Sequence, residues 1–410
     1  MPELGTERIR TEHETTEPAE RLARAALTRI MEPQDATGLA LVRLLGAQEA
    51  MDRIASGGGD PALEQELHAV LQDHDAATGW KGLGAAMARW RPRLEALAPA
   101  RDLHVAQKLG GGLLIPGDQQ WPAQLDDLGL QSPLALWYRG DVGALPDKER
   151  AVALVGSRDS TSYGATITAD MAHELASRGR TVVSGGAYGI DAHAHRAALA
   201  GQDPEATVLG TVAFMAGGID RFYPSGNEDL LRTVARRGAV LAEVPPGCAP
   251  TRYRFLQRNR MIAAFAGATV VVEARWRSGA LNTAHHAEAL GRPVAAVPGP
   301  VHSANSAGCH RLIRDGGAVL VTDAREVMEL LDGPPAESGD GGDHRIQDGL
   351  TLEGLLLLDA LPLRRTTTLE KLGVVAGMDP QGVRAGLGRL QLLGLAESVG
   401  AQWRRAAAES

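Results

Sequence analysis

The chain has 410 residues, a formal charge of −8, 44% apolar and 22% charged residues, 49 glycines and 22 prolines. At about 100–200 residues per domain the length calls for two to four domains, and the composition excludes collagen-like, coiled-coil and wholly disordered chains. Two cysteines, Cys248 and Cys309, cannot build a disulfide framework, no apolar run is long enough for a transmembrane helix, and residues 1–20 lack the apolar stretch of a signal peptide. The expectation is a cytoplasmic protein with no membrane partner.

In chain order, residues 1–17 are acidic and Thr-rich and read as a mobile tail. Residues 18–98 are patterned as helices: Leu22, Ala25, Ala26 and Ile30 recur near the 3.6-residue period, and Asp60-Pro61 starts a new helix after a glycine run. Arg21, Arg24 and Arg29 read there as a solvated face. From Ala151 the texture changes to short β-prone runs at 151–155, 181–184, 206–212, 239–244, 268–274, 293–299 and 318–321. Helical stretches separate them at 163–178, 189–200, 257–267, 279–290 and 306–315. Most of these strands are continuously apolar rather than alternating, which predicts a mostly parallel sheet covered on both faces: an α/β, doubly wound domain. A Pro/Gly/Asp-rich linker spans 332–349, and beyond it helices at 351–360, 367–376 and 380–393 precede two brief β-like runs around Gly400. That order suggests a winged helix-turn-helix over 350–405.

In open parallel sheets ligands bind where strands end and Gly-rich loops enter helices. Two such loops stand close together, VGSR (155–158) and SGGAYGIDAHAH (184–195). Their glycines either make tight turns or admit an anion to the backbone N–H groups; the pairing with Arg158 favours phosphate. Neither loop carries a dinucleotide G-x-G-x-x-G or a P-loop signature. A third segment, TRYRFLQRNR (251–260), leads residues 251–277, which hold six arginines against one acid, Glu273. Tyr253 and Phe255 interleave with those arginines, as suits stacked bases and paired phosphates.

GSR (156–158), SGGAxGID (184–191), YPxxN (223–227), F-x-x-RNR-x-IA (255–263), SGxLxTAxxA (278–287) and GRPVAAVPG (291–299) together resemble the DNA-processing protein A (DprA/Smf) family. The resemblance implies a Rossmann-like domain over 99–331 flanked by a helical, SAM- or helix-hairpin-helix-like domain over 18–98 and a winged helix. It also implies a homodimer without catalysis or cofactor, which binds single-stranded DNA, protects it and loads the RecA recombinase onto it during natural transformation. Carried over by motif, Gly156, Ser157 and Arg158 would hold a DNA phosphate, and Gly185, Gly186 and Ala187 would add backbone donors. Arg258, Asn259 and Arg260 would line or brace the same pocket, and Asp191 would fix the Gly loop by accepting backbone N–H bonds. Ala280, Asn282, Cys309 and His310 depart from the family pattern beside that pocket.

The histidines at 193, 195, 285, 286 and 310 lack metal-ligand spacing, so no metal is expected. The rival reading is a nucleotide-binding or nucleotide-hydrolysing enzyme of related fold, disfavoured because SGGAYGIDAH lacks the Thr and Glu that such enzymes carry at the helix entry. The 350–410 segment has seven basic and six acidic residues, thin for a duplex-binding module despite Arg384 and Arg389.

Overall fold

Helix α1 (Thr6–Ile30) opens the computed structural model, which describes residues 6–57, 60–203, 205–332, 352–362 and 365–406. Residues 1–5 lie outside that description, and the segment read as a tail is helical from Thr6. Four helices follow: α2 (Ala36–Leu45), α3 (Ala47–Ser56), α4 (Pro61–Asp73) and α5 (Leu83–Trp90). The carboxylates of Asp35 and Asp60 cap α2 and α4 by accepting from Gly38 and Leu63 N–H. Their apolar stripes meet in a core built on Leu27, Ile30, Leu41, Ile54, Leu67, Leu71 and Trp90. Helix α6 (Pro99–Lys108) leads into the sheet.

The first compact unit is residues 1–335, so these helices belong to the same body as the sheet. The reason lies in α1. Arg21 pairs with Asp118 at 2.7 Å, Arg29 pairs with Asp102 at 2.7 Å and donates to the Pro246 carbonyl, and Arg24 donates to the Leu134 carbonyl. Arg24 also pairs with Glu20 one turn away at 2.7 Å, but these partners of the three arginines read as a solvated face lie 73 to 217 residues off in sequence, beyond the reach of local pattern.

The sheet has nine strands in the order β1-β2-β6-β5-β4-β3-β7-β8-β9. They are β1 (Gly111–Leu114), β2 (Leu136–Gly140), β3 (Ala151–Gly156), β4 (Thr181–Ser184), β5 (Thr211–Met215), β6 (Ala239–Ala242), β7 (Ala268–Glu273), β8 (Val294–Ala296) and β9 (Val319–Leu320). From β6 to β9 every pairing is parallel; β1 and β2 add an antiparallel edge. The run expected at 206–212 is displaced to Thr211–Met215. The connecting helices are α7 (Ser162–Ser177), α8 (Ile190–Gly201), α9 (Glu228–Arg237), α10 (Arg252–Phe265), α11 (Gly279–Ala289), α12 (Ala307–Arg314) and α13 (Ala324–Asp332). Alternate residues of β3 face opposite layers: Val152 and Leu154 pack with α7, α8 and α13, whereas Ala151, Ala153 and Val155 pack with α10 and α11. Burial on both sides accounts for the continuous apolar runs. Strands β4 to β6 build outward on one side of β3 and strands β7 to β9 on the other, so the topological switch point lies between β3 and β7.

The expected linker, apart from Asp332, lies outside the described residues. The second unit, residues 336–410, contains α14 (Leu352–Ala360), α15 (Leu369–Ala376), α16 (Pro380–Leu392) and the antiparallel pair β10 (Ala396–Val399) and β11 (Gln402–Arg405). Leu357, Leu372, Val383, Leu387 and Leu390 form its own core. Asp379 caps α16 by accepting from Gln381 and Gly382 N–H, which holds its carboxyl below the usual range.

Candidate nucleic-acid interface

A cleft of about 250 Å³ opens at the switch point. The β3 loop supplies Gly156, Ser157 and Arg158, α8 supplies Asp191, α10 supplies Phe255, Arg258 and Asn259, and the β7–α11 turn supplies Arg275, Arg277, Ser278 and Gly279. Gly189 permits this convergence. It sits at φ +74°, and its Cα lies so near the Ser157 carbonyl and Arg158 backbone that a side chain would collide with them. Ile190 N–H then donates to the Ser157 carbonyl at 3.1 Å, locking the two loops together.

The electrostatics centre on two arginines around one ring. The exposed Arg158 guanidinium lies 4.7 Å from the Phe255 ring centroid, and that of buried Arg258 lies 6.0 Å from it. Arg258 donates through Nη1 to the Phe214 carbonyl, while its buried Nε has no partner. Among the described residues no carboxylate forms an ion pair with it. Burial pushes its guanidinium down to about 10, against the opposing charge of Asp191, and Arg158 adds to the depression. A buried cation without a paired anion is costly, so the site is arranged to receive one.

The Gly loop is tied from behind. Asp191 accepts from Ala187 N–H at 3.2 Å, and Asn227 Nδ2 donates to the carbonyls of Gly186 (3.1 Å) and Ala187 (2.9 Å). Burial holds the His195 imidazole below its ordinary range, and its Nε2 lies 2.7 Å from the Gly185 carbonyl, which fixes the proton on that nitrogen. Ala187 lines the cleft, but its N–H is engaged by Asp191 rather than held out as a donor. Gly185 serves differently again: a Cβ there would strike the Arg258 guanidinium, so this glycine makes room for the arginine.

Of the other expected site residues, Ser157 lines the cleft while its hydroxyl turns into its own loop, donating to Asp159 O at 3.1 Å. Asn259 reaches Asn282 Oδ1 at 3.2 Å, so the departure at 282 braces a cleft residue. Arg260 does not join the cleft. It is fully buried in a bidentate pair with Glu243, at 2.9 and 2.7 Å, and donates to the Gln131 carbonyl. Cys309 is buried with its thiol pushed up to about 12 by burial, and His310 meets the Gly299 carbonyl; neither lines the cleft. Phe255, Arg275, Arg277 and the N-terminus of α11 also line the cleft, beyond the residues carried over by motif. The +5 charge between 251 and 277 was the signal for the arginines. Among the described residues no cluster of three or more His, Cys, Asp or Glu side chains could hold a metal.

Fold and cleft together define a Rossmann-like α/β protein with a cation-flanked cleft at the switch point. Residues 112–332 match the family described as DNA recombination-mediator protein A. A Mycobacterium tuberculosis protein bearing the DNA processing protein DprA name is 41% identical over 395 residues, 93% of each chain. The crystal structure of DNA processing protein A from Streptococcus pneumoniae superposes with a TM-score of 0.56 at 28% identity, covering 76% of this chain and 96% of that one. A Helicobacter pylori DNA processing protein A structure, described for its single-stranded DNA binding mode, gives 0.46 at 28% identity over 51% of this chain and 92% of that one. The chain belongs to the DNA recombination-mediator protein A family, also called DprA/Smf.

Proposed function

We propose that the switch-point cleft binds the backbone of single-stranded DNA, and that the protein is a recombination mediator which protects incoming strands and loads RecA onto them. The observation that carries this reading is Arg258: a buried guanidinium with no paired carboxylate, an unpartnered Nε and a second arginine over the same ring. A phosphate seated between Arg158 and Arg258 would supply the missing counter-charge, and the N-terminus of α11 would add its dipole. Family membership supports the nucleic-acid identity of that phosphate. The reading includes no chemical step, since the cleft's acid, Asp191, is engaged by the Gly loop. Gly156, Ser157, Asn259 and the loop at 185–187 shape the cleft in this scheme, and Arg260 supports α10 from outside it. Within the same proposal the chain acts as a homodimer in the cytoplasm. Residues 18–98 form a SAM-like helical module and residues 350–405 a winged helix, with α15 and α16 as its helix-turn-helix and β10–β11 as the wing.

Fluorescence anisotropy with labelled single-stranded and duplex oligonucleotides across a salt series tests the central claim. Salt-sensitive, single-strand-preferring binding that falls at least tenfold in Arg158→Ala is expected. Equal affinity in wild type and Arg158→Ala removes the site. Stimulation of RecA filament growth on protein-coated single strands tests the downstream role.

A further inference from the structure

Helices α8 and α9 pack against one another, and a groove of about 470 Å³ opens between them. Leu199 and Ala200 of α8 and Leu230 of α9 give it an apolar lining, and Arg196 of α8 and Arg237 of α9 flank that lining. The groove is separate from the switch-point cleft. The two share no lining residue, and Arg196 stands five residues beyond Asp191, about 140° round α8.

The arginines that tie the N-terminal helices to the sheet have carboxylates of their own, as Arg29 has Asp102 and Arg254 has Glu32. Arg196 and Arg237 are exposed and, among the described residues, pair with none. Arg139 of β2 adds to the same surface: its guanidinium lies 5.3 Å from the Phe222 ring, and burial and the charge of Arg232 on α9 hold it below its ordinary range. Like charges gathered this way repel one another, and an acidic partner relieves the repulsion. Because the whole chain carries −8, an acidic molecule is repelled by much of its surface and steered to such a patch.

We infer that the α8–α9 groove docks an acidic, amphipathic helix of a partner protein, its apolar side chains over Ala200 and Leu230 and its carboxylates on Arg196 and Arg237. The inference goes beyond the proposed function and does not depend on it. No aromatic ring lines the groove, so bases have nothing to stack on, and Asp229 in its wall opposes a continuous row of phosphates. A helix meets both conditions, because it spaces its charges and presents apolar groups at i, i+3 or i+4, and i+7. The eight residues from Asp229 to Arg237 span about 12 Å of α9, or about two turns of such a partner. Asp229 also sets the polarity, since it keeps the partner's carboxylates toward the Arg237 end.

Fluorescence anisotropy with a labelled helical peptide of leucine and glutamate, and with a counterpart carrying glutamine for each glutamate, tests this on the full chain. The glutamate peptide is expected to bind at least about tenfold more tightly than the glutamine one, and added salt should weaken it. Arg196→Glu/Arg237→Glu, with both changes at exposed positions, should lower its affinity by at least about tenfold while dT12 binding stays as in wild type. Arg158→Ala, in the cleft, should leave peptide binding unchanged. Equal binding of the two peptides, no binding by wild type, or a double variant that binds like wild type overturns the inference. Loss of peptide binding in Arg158→Ala assigns the peptide to the cleft, and a matching loss of dT12 binding in the double variant assigns the groove to nucleic acid; either result overturns it as well.

Discussion

Arg258 and Arg260 stand two residues apart on α10, and two residues rotate a helix by about 200°. They cannot face the same pocket, and they do not: one meets Phe255 in the cleft, the other Glu243 behind it. Helical spacing would have separated them, since Phe255 and Arg258 are three apart and share a face. Their removal should read out differently. Arg260→Met leaves the Glu243 carboxylate buried and alone, which should cost about 3–5 kcal/mol of stability, seen as a lower midpoint in urea unfolding, while DNA affinity of the folded fraction stays near wild type. Arg158→Ala, at an exposed position, should reverse that pattern. The depressed Arg258 value adds a pH signature. Because the group sheds its proton as pH rises through about 10, single-strand affinity should fall between pH 9 and about 10.5, well before ordinary arginines lose charge. Titrating binding of an oligo-dA strand over that range in wild type and in Arg258→Met checks this, and a fall of the same size in both assigns it to other groups than Arg258.

At the scale of elements, the apolar continuity of β3, β4, β6 and β7 is legible because burial on both faces demands it, and helices α14 to α16 fall within a residue or two of their expected bounds. The two antiparallel strands are not legible: GGLL and LWYRG are short and flanked by loops, and they become strands only because β6 offers an open edge to β2. The Gly loop shows the same division. Its position between strand and helix is readable, whereas its ties to Asn227, 40 residues on, are not. Asn227→Ala strips a donor from two buried carbonyls, and each unmet buried group costs about 1–3 kcal/mol. Faster amide hydrogen exchange over 185–189 and weaker single-strand binding are expected together. Faster exchange with unchanged affinity would detach this loop from the site.

At the scale of the molecule, the packing of the N-terminal helices on the sheet is acid-labile by construction. Glu32, just past α1, accepts from Arg254 Nε of α10 at 2.9 Å and pairs with Arg93 at 3.0 Å, while Asp118 holds Arg21. Burial alone would raise both carboxyls, yet Arg254 with Arg93, and Arg21 with the Ile115 N–H, hold them below their ordinary values of 4.5 and 3.8. A carboxyl with a lower pKa in the folded chain than in the unfolded chain stabilises the fold above its ordinary value. That contribution fades as pH drops through the folded value. These two carboxyls should therefore give a level contribution from neutrality to about pH 5 and lose it below about pH 4, in addition to the stability lost below about pH 6.5, where the unfolded chain protonates the histidine that burial keeps neutral at 195. Arg254→Met should lower stability at pH 7 and flatten the decline, because Glu32 then has less to lose on protonation. Melting curves at pH 7, 5, 4 and 3 for both proteins decide the matter. Parallel declines in the two would mean that the acid sensitivity arises elsewhere and that the Glu32–Arg254 clamp contributes nothing to joining the helices to the sheet.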